Sequence, residues 1–438
     1  MDVEQFSRID KIMVDSAGLS PDQSHARRAA CRLDVICGPE VLTSRTARAA
    51  ALTAMLCARR CFPGGVSLSA TPTIRAALLA EIGDVGVTGC SDETATPAHY
   101  AIVIGTALAP SNALRVTFDG WTARVGPDAG GRLPETERCP LAGVLAGALA
   151  VSEAFLGFAD IEPTAWRRKI AVSLWAPWSD APDVGPQLAL VPSRAWLIGL
   201  GHLGQAYAWA YSWLPVPKGK SELWLVDDEV IEKVNLETGL LSTSGVRGQY
   251  KTRAVSAWLE RQGVRTRILE RRVDAQFKVT GKEPRLLIGG VDENRVRHHL
   301  AGAGGVLVDA GLGNRADNFE TIAVRTYPNE RTPEELWPTV GSKNDFAERL
   351  ARENPAYQNL ADDECGRLRL AERSVGVPFV GSTAACFVWA HTLRLLHGGA
   401  HVSDLKVRLS DPRSLDAFHR PFSTSDVELL DCVPITSE

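Results

Sequence analysis

Apolar residues fall along this chain in two kinds of run. Short blocks bounded by glycine, proline or polar clusters predict buried strands, and longer stretches with apolar positions three and four apart predict helices. In the first half LDVICGPEV, Leu33 to Val41, reads as a strand. It is followed by SRTARAAALTAMLCARRC, a helix with Ser44 at its N-cap. GGVSLSA reads as a second strand and YAIVIGT, from Tyr100 to Thr106, as a later one. LRVTFDGWTARVG then leads into LAGVLAGALAVSEAFLGF, a helix of small residues. The proline-rich APWSDAPDVGPQLALVPS, Ala176 to Ser193, reads as a linker or an irregular crossing.

The pattern then starts again. RAWLIGL predicts a strand, GLGHLG a glycine turn, and an alanine-rich helix follows. ELWLVDD, LLIGGVD and GVLVDAG predict further strands. Strand–helix–strand thus stands at comparable places in two successive halves, although chance recurrence of a common α/β motif would look the same. The first copy has CGPEVLTS where the second has GLGHLGQA, so it cannot form the same glycine-lined turn. The fold class expected is α/β, with one competent nucleotide fold beside a degenerate copy.

Composition narrows the picture by exclusion. At 438 residues the chain is long enough for two cores, and 45% hydrophobic with 23% charged residues is ordinary for a globular protein. A net charge of −4 with interspersed signs gives no electrostatic case for nucleic acid or an anionic membrane surface. No apolar run is read as approaching ~20 residues, and MDVEQFSRIDK lacks a signal-peptide core, so a cytoplasmic location is expected. Nine cysteines, an odd number, argue against a disulfide framework. Cys57 and Cys61 lie at helical spacing and are expected to be buried, with no second pair to complete a zinc site.

The chemistry gathers behind the glycine turn. Gly199, Gly201 and Gly204 allow a tight strand-to-helix turn and phosphate binding at a helix N-terminus. Asp227 sits at the tip of the next strand, where a carboxylate can accept from ribose hydroxyls, which suits NAD or ATP alike. Asn235, in a polar loop, Lys251 at the start of a helix, Asp292 closing LLIGGVD and Arg297 beyond it separate the two. A triphosphate attacked at its α-phosphorus needs charge neutralisation by cations and a carboxylate-held magnesium ion, whereas hydride transfer needs none of these. ATP is therefore the better-supported ligand.

This ordered series resembles the adenylating enzymes that activate ubiquitin-like proteins, the superfamily of ubiquitin-activating enzymes and the bacterial ThiF and MoeB proteins. The likeness covers roughly Ala195 to Gly399. The family's pattern is glycine turn, D-x-D, N-L-x-R-Q, lysine, then D-N-x-x-x-R. Gly199, Gly201 and Gly204 match the turn, Asp227 and Glu229 the acidic pair, Asn235 the asparagine, Lys251 the lysine, and Asp292 with Arg297 the last motif. The chain departs from it at Thr238-Gly239, where the family has Arg-Gln, and at Glu293. The lost arginine leaves a phosphate contact to be replaced, with Arg247 and Arg253 as nearby candidates or solvated bystanders.

The resemblance implies more. Ubiquitin-activating enzymes pair an active adenylation domain with an inactive copy that contributes an arginine from its N-terminal helix, and Arg8 in EQFSRIDK stands at the matching place. The implied architecture is two Rossmann-like adenylation folds in one chain forming a pseudo-dimer. Residues 1–192 would be the inactive copy, 193–399 the active one with a crossover carrying Cys365, and 400–438 a C-terminal tail. ThiF and MoeB relatives place a cysteine in that crossover before a strand and a helix, and Cys365 precedes VGVPFV and STAACFVWAHTLRLL. Arg367 and Arg369 would favour its thiolate, while Asp362, Asp363 and Glu364 would oppose it. NDFAERLAREN is expected to form one helix within the crossover, and Cys386 to be buried.

The resemblance implies ATP and Mg2+, the latter at Asp292, with a ubiquitin-like protein as cargo and a separate conjugating enzyme as acceptor. Family analogy alone connects such chains with bacterial antiviral defence. An adenylating enzyme of sulfur-carrier or peptide-modifying pathways, an NAD-dependent dehydrogenase and a non-catalytic scaffold remain as alternatives.

Overall fold

The blocks that alternate least between apolar and polar become the buried parallel strands, as expected for strands covered on both faces. The computed structural model describes residues 7–82, 99–127, 131–181, 183–339, 345–358, 364–419 and 430–435. Cys90, Asp362 and Asp363 fall outside these. The chain opens with α1 (Asp10–Ala17) and α2 (Pro21–Ala30), then β1 (Leu33–Cys37), α3 (Glu40–Thr43) and α4 (Arg45–Cys61). β2 (Val66–Ser69), α5 (Pro72–Ile82), β3 (Tyr100–Ile104), β4 (Leu114–Asp119), β5 (Thr122–Pro127), α6 (Leu141–Phe158) and β6 (Ile170–Ser173) follow. Ser44 caps α4 as expected, accepting from the Ala47 amide. The strand expected to reach Val41 stops at Cys37, because Gly38-Pro39 turns the chain into α3.

After β7 (Leu190–Pro192) come β8 (Arg194–Ile198), α7 (His202–Ser212), β9 (Glu222–Val226), α8 (Asn235–Thr238), α9 (Lys251–Arg261) and β10 (Arg265–Leu269). The middle of the second half holds β11 (Leu286–Gly289), α10 (Asn294–Ala301), β12 (Val306–Leu312) and β13 (Thr321–Tyr327). The crossover then carries α11 (Pro333–Leu336), α12 (Asp345–Glu353), α13 (Pro355–Gln358) and α14 (Glu364–Glu372). The chain finishes with α15 (Pro378–Leu396), β14 (Val402–Arg408), β15 (Asp411–His419) and β16 (Cys432–Pro434). VGVPFV is not a strand: Val377 is extended, and Pro378 opens α15 at the position where its fixed φ suits a helix start.

The internal echo is visible in the topology. The first sheet runs β2-β1-β3-β4-β5-β6. Within the second, β10-β9-β8-β11-β12-β13-β14-β15, the six strands β9 to β14 repeat that order. The strand directions repeat too: three parallel pairings, then two antiparallel ones. The described residues after Gly399 are built into the sheets: β14 and β15 extend the second sheet and β16 pairs with β7 from the proline-rich crossing.

The two long apolar helices occupy equivalent places and meet between the sheets. α6 packs on α4, α15 on α7, and α6 on α15. Gly143 and Gly147 permit the approach of α6 to α4: a Cβ there would stand 2.0 Å from the Thr46 carbonyl oxygen and 2.3 Å from that of Ala50. At 18 and 19 residues, α6 and α15 are long and apolar enough to cross a membrane, which corrects the reading that no run comes near that length. Both are core helices, buried inside the protein. Cys57, Cys61 and Cys386 are buried in this core, as expected from the helical spacing of the first two and the apolar helix around the third.

Candidate functional site

The second half's glycine turn lies between β8 and α7. Gly199 is left-handed at φ 79°, and a Cβ on Gly204 would lie 2.0 Å from the Gly199 carbonyl oxygen. Both glycines therefore serve the turn itself. Gly201 is different, with nothing within 4 Å of a Cβ, so its small size leaves open space before the N-terminus of α7.

Asp227, just beyond the tip of β9, holds this turn. Its Oδ2 accepts from the Leu200 amide at 2.6 Å and its Oδ1 from the Glu229 amide at 2.8 Å. Burial pushes the Asp227 carboxyl above the usual range, against the pull of Lys251. Lys251, at the first position of α9, is only 4% exposed and its ammonium pairs with the Glu229 carboxylate. That hydrogen bond holds Glu229 below its usual range. The Lys251 amide also donates to the Glu229 carbonyl at 3.0 Å, so the acidic loop and the lysine helix are sewn together. Asp227, Glu229 and Lys251 thus share one corner with Gly199, Gly201 and Gly204.

Asn235 and the Asp292 motif complete the surroundings. The Asn235 side chain accepts from the Glu232 amide at 2.8 Å and shapes the loop before α8. Asp292 is exposed just beyond β11, and its carboxylate has no partner among the described residues. Arg297 is buried and fixes that loop from below. It donates to the carbonyls of Val291 at 2.5 Å and Asp292 at 3.2 Å, to Asn294 Oδ1 at 2.7 Å and to Asp309 Oδ2 at 2.9 Å. Asp309, not anticipated from the sequence, is fully enclosed on β12, and burial pushes its carboxyl up to about 6 against Arg297. Among the described residues no group of three His, Cys, Asp or Glu is arranged to hold a metal.

The first half reaches this corner twice. Before α1, the Arg8 amide donates to Glu237 Oε2 at 2.8 Å. The Arg8 guanidinium lies within electrostatic reach of His202 in the glycine turn, and its Nε is buried without a partner. Burial, reinforced by Arg8, lowers His202 to about 4, so this imidazole is neutral at pH 7. From α4, Arg60 inserts its guanidinium into the loop after α8. Its Nη2 donates to the carbonyls of Gly239 at 2.6 Å, Leu240 at 2.9 Å and Ser242 at 3.0 Å. The Thr238-Gly239 departure has a steric reason here: a Cβ on Gly239 would meet Gln205 Oε1 at 2.6 Å. Of the proposed replacement cations, Arg253 is exposed and bound to Glu270 at 2.7 Å, and Arg247 is exposed.

Cys365 is exposed and lies in the first turn of α14, a helix where a loop was expected. NDFAERLAREN does form a helix, α12. α12, α13 and α14 share a small core with Val14 of α1, built from Leu350, Ala351, Tyr357 and Leu370. Asn354 Nδ2 donates to the Val14 carbonyl at 2.8 Å, and the Tyr357 hydroxyl donates to Asp15. The helix carrying Cys365 and the helix α1 that follows Arg8 therefore contribute to one cluster. Sequence reasoning missed Arg60, Gln205 and His202 as parts of the site. Gln205 and His202 lie within the glycine motif and were legible there; Arg60 lies 179 residues from its contact and carried no signal.

A largely parallel sheet with a glycine turn, an acid just beyond the next strand and a buried lysine after it defines an α/β protein of Rossmann-like build. The particular lineage follows from comparison. Residues 191–399 match the family model described as the BilD C-terminal domain, and residues 32–174 that of the BilD N-terminal domain. The "Bacterial E1-like protein BilD" of Collimonas sp. (strain OK412) is 36% identical over 385 residues, covering 84% of this chain and 83% of that protein. The chain belongs to the BilD family of bacterial E1-like proteins. Among solved structures, E. coli MccB is similar at 15% identity and a TM-score of 0.37, over 52% of this chain and 62% of that one. E. coli MccB with ATP is similar at 12% identity and a TM-score of 0.35, over 70% and 94%.

Proposed function

We propose that this protein activates the C-terminal carboxylate of a ubiquitin-like protein. A carboxylate oxygen of the cargo attacks the α-phosphorus of ATP, the bond to the β-phosphate oxygen breaks, and pyrophosphate leaves. The product is an acyl adenylate. The Cys365 thiol then gives up its proton, its sulfur attacks the acyl carbon, and AMP departs to leave a thioester. A second thiol, on a conjugating enzyme, takes the acyl group onward.

One observation carries the reading most. A glycine turn tied to Asp227 opens at Gly201 beside a buried lysine, and Arg8 from the other half is bound through its amide to Glu237 of α8, within electrostatic reach of His202 in the turn. In this assignment Asp227 positions the ribose. Lys251 exchanges Glu229 for phosphate oxygens, and Arg8 adds positive charge as pyrophosphate forms. Asn235 keeps the intervening loop in place. Asp292 fits a hard divalent cation, being an exposed carboxylate on a loop that Arg297 immobilises, with no cation already paired to it among the described residues. Magnesium bound there would supply charge neutralisation on the triphosphate.

The first sheet, with its repeated strand order, is the inactive copy of a pseudo-dimer, with residues 1–192 and 193–399 as the two units and 400–438 a C-terminal tail whose β14 and β15 join the second sheet and whose β16 pairs with β7. The cytoplasm is the proposed site of action, and antiviral defence the proposed setting. The relative's name as an E1-like protein supports the cargo class. Intact-protein mass spectrometry with MgATP and a ubiquitin-like cargo tests the second step. A thiol-sensitive adduct should form on the unaltered chain and vanish in Cys365→Ala, which should still make acyl adenylate. An adduct that survives in Cys365→Ala would remove Cys365 from the mechanism.

A further inference from the structure

Arg60 is buried to 8% exposure, and its contacts are carbonyl oxygens rather than a carboxylate. A guanidinium held this way costs more to bury than a paired one, so its retention calls for a reason. Besides Gly239, Leu240 and Ser242 in the second half, its guanidinium donates among the described residues to the carbonyl of Leu56, one turn back on α4, at 2.7 Å.

The loop it grips is laced to the glycine turn. Gln205, the residue after Gly204, accepts from the Leu241 amide at 2.9 Å and donates to Ser242 Oγ at 2.9 Å. The same Gln205 amide group donates to the Leu200 carbonyl at 3.2 Å. The Leu200 amide in turn is the group that binds Asp227 at 2.6 Å. An unbroken path of hydrogen bonds therefore runs from α4 in the first half to Asp227 in the nucleotide corner. Arg60 also lies within electrostatic reach of His202 inside the turn. It stands, moreover, against Gly239, where the resembled family would carry its Arg-Gln pair.

We propose that Arg60 is a positioning residue through which the first half sets the shape of the second half's glycine turn, by way of loop 239–242 and Gln205. It touches no substrate. Its work is to hold the Leu200 amide and Asp227 in the arrangement that accepts the nucleotide. The inference deepens the adenylation reading and rests on it for the nature of the ligand.

Two readouts on the full chain test it. Amide hydrogen exchange without nucleotide follows the Leu200 and Leu241 amides, both hydrogen-bonded in this path. In Arg60→Met these should exchange about 10-fold faster, while Val226 and Ile288 in the sheet keep wild-type protection. Gln205→Ala, which cuts the path from the other side, should expose the same two amides, and Arg60→Lys should restore part of the protection. Pyrophosphate exchange with MgATP and cargo should show KM for ATP raised about 10-fold in Arg60→Met with kcat within about 2-fold. Wild-type protection at Leu200 in Arg60→Met would overturn the proposal. So would loss spread equally over both sheets while Gln205→Ala leaves Leu200 protected. A wild-type chain with no pyrophosphate exchange would sink the adenylation reading instead, and the amide measurement would still decide the role of Arg60.

Discussion

The chain makes the same strand-to-helix departure at the ends of β1 and β8, with opposite electrostatics. At β8 the turn is open. Gly201 faces space, and the nearest carboxylate, Asp227, sits at the neighbouring strand tip and binds the turn's own amide. At β1 the equivalent place is filled by Glu40. Both of its oxygens accept from the Thr106 amide at 3.0 Å, and Arg132 stands 3.4 Å away. Burial works to raise Glu40, but the Thr106 hydrogen bond and Arg132 outweigh it and hold the carboxyl below its usual range. Gly38 and Gly105 flank it so closely that a Cβ on either would lie 2.5 Å or 2.2 Å from Glu40 Oε2. The first corner thus keeps glycines and amide donors, and it has supplied its own anion. On the proposed reading the first half is silent because this corner is occupied from within, without having lost its shape.

The comparison can be broken most severely at the glycines. Gly204→Ala forces a Cβ onto the Gly199 carbonyl and should cost about 1–3 kcal/mol of stability along with ATP binding. Gly201→Ala meets nothing in the protein, so its melting temperature should stay near wild type while ATP affinity falls about 10-fold. Thermal melts with and without ATP separate the two. A Gly201→Ala chain binding ATP as well as wild type would show that the open space is not the phosphate's.

Arg8→Ala should lower the rate of acyl-adenylate formation about 10- to 100-fold with little change in melting temperature, since Arg8 is anchored through its backbone amide. An unchanged rate would leave Arg8 a structural residue of the α1 junction.

The smallest effect expected is on pH dependence. His202 is lowered to about 4 from 6.5, so the unfolded chain binds the extra proton first as pH falls. Its contribution is complete above pH 6.5 and is lost progressively between 6.5 and 4. His202→Gln should flatten the fall in melting temperature over that window. An unaltered slope would mean that His202 is not held neutral.

How much of this was legible depended on whether the signal was local. β1, α4, α6, β8 and β9 were readable because each is a continuous apolar block or stripe with its own punctuation, such as Ser44 before α4. The proposed nucleotide corner was readable because its residues follow one another along the chain from Gly199 to Arg297 and impose a spacing on it. Arg60, by contrast, works through a contact made only when α4 meets the loop after α8, and neither segment encodes the other. Glu40 was similarly hidden, since GPEV looks like a lost glycine motif until Thr106 and Gly105 are seen around its carboxylate. Cys365 was found on a helix because residues 364–372 gain packing on α12 and α13 through the small core that holds Leu370, a tertiary contribution that local pattern does not contain.

The proposed chemistry assigns activation of the cargo carboxylate to the second half's corner alone. Cargo-dependent exchange of labelled pyrophosphate into ATP measures this directly, with Lys251→Ala set against Glu40→Gln. We expect exchange only with a cargo bearing a free C-terminus, a loss of about 100- to 1,000-fold in Lys251→Ala, and a rate within about 2-fold of wild type in Glu40→Gln. Wild-type exchange in Lys251→Ala, or a collapse in Glu40→Gln, would contradict it.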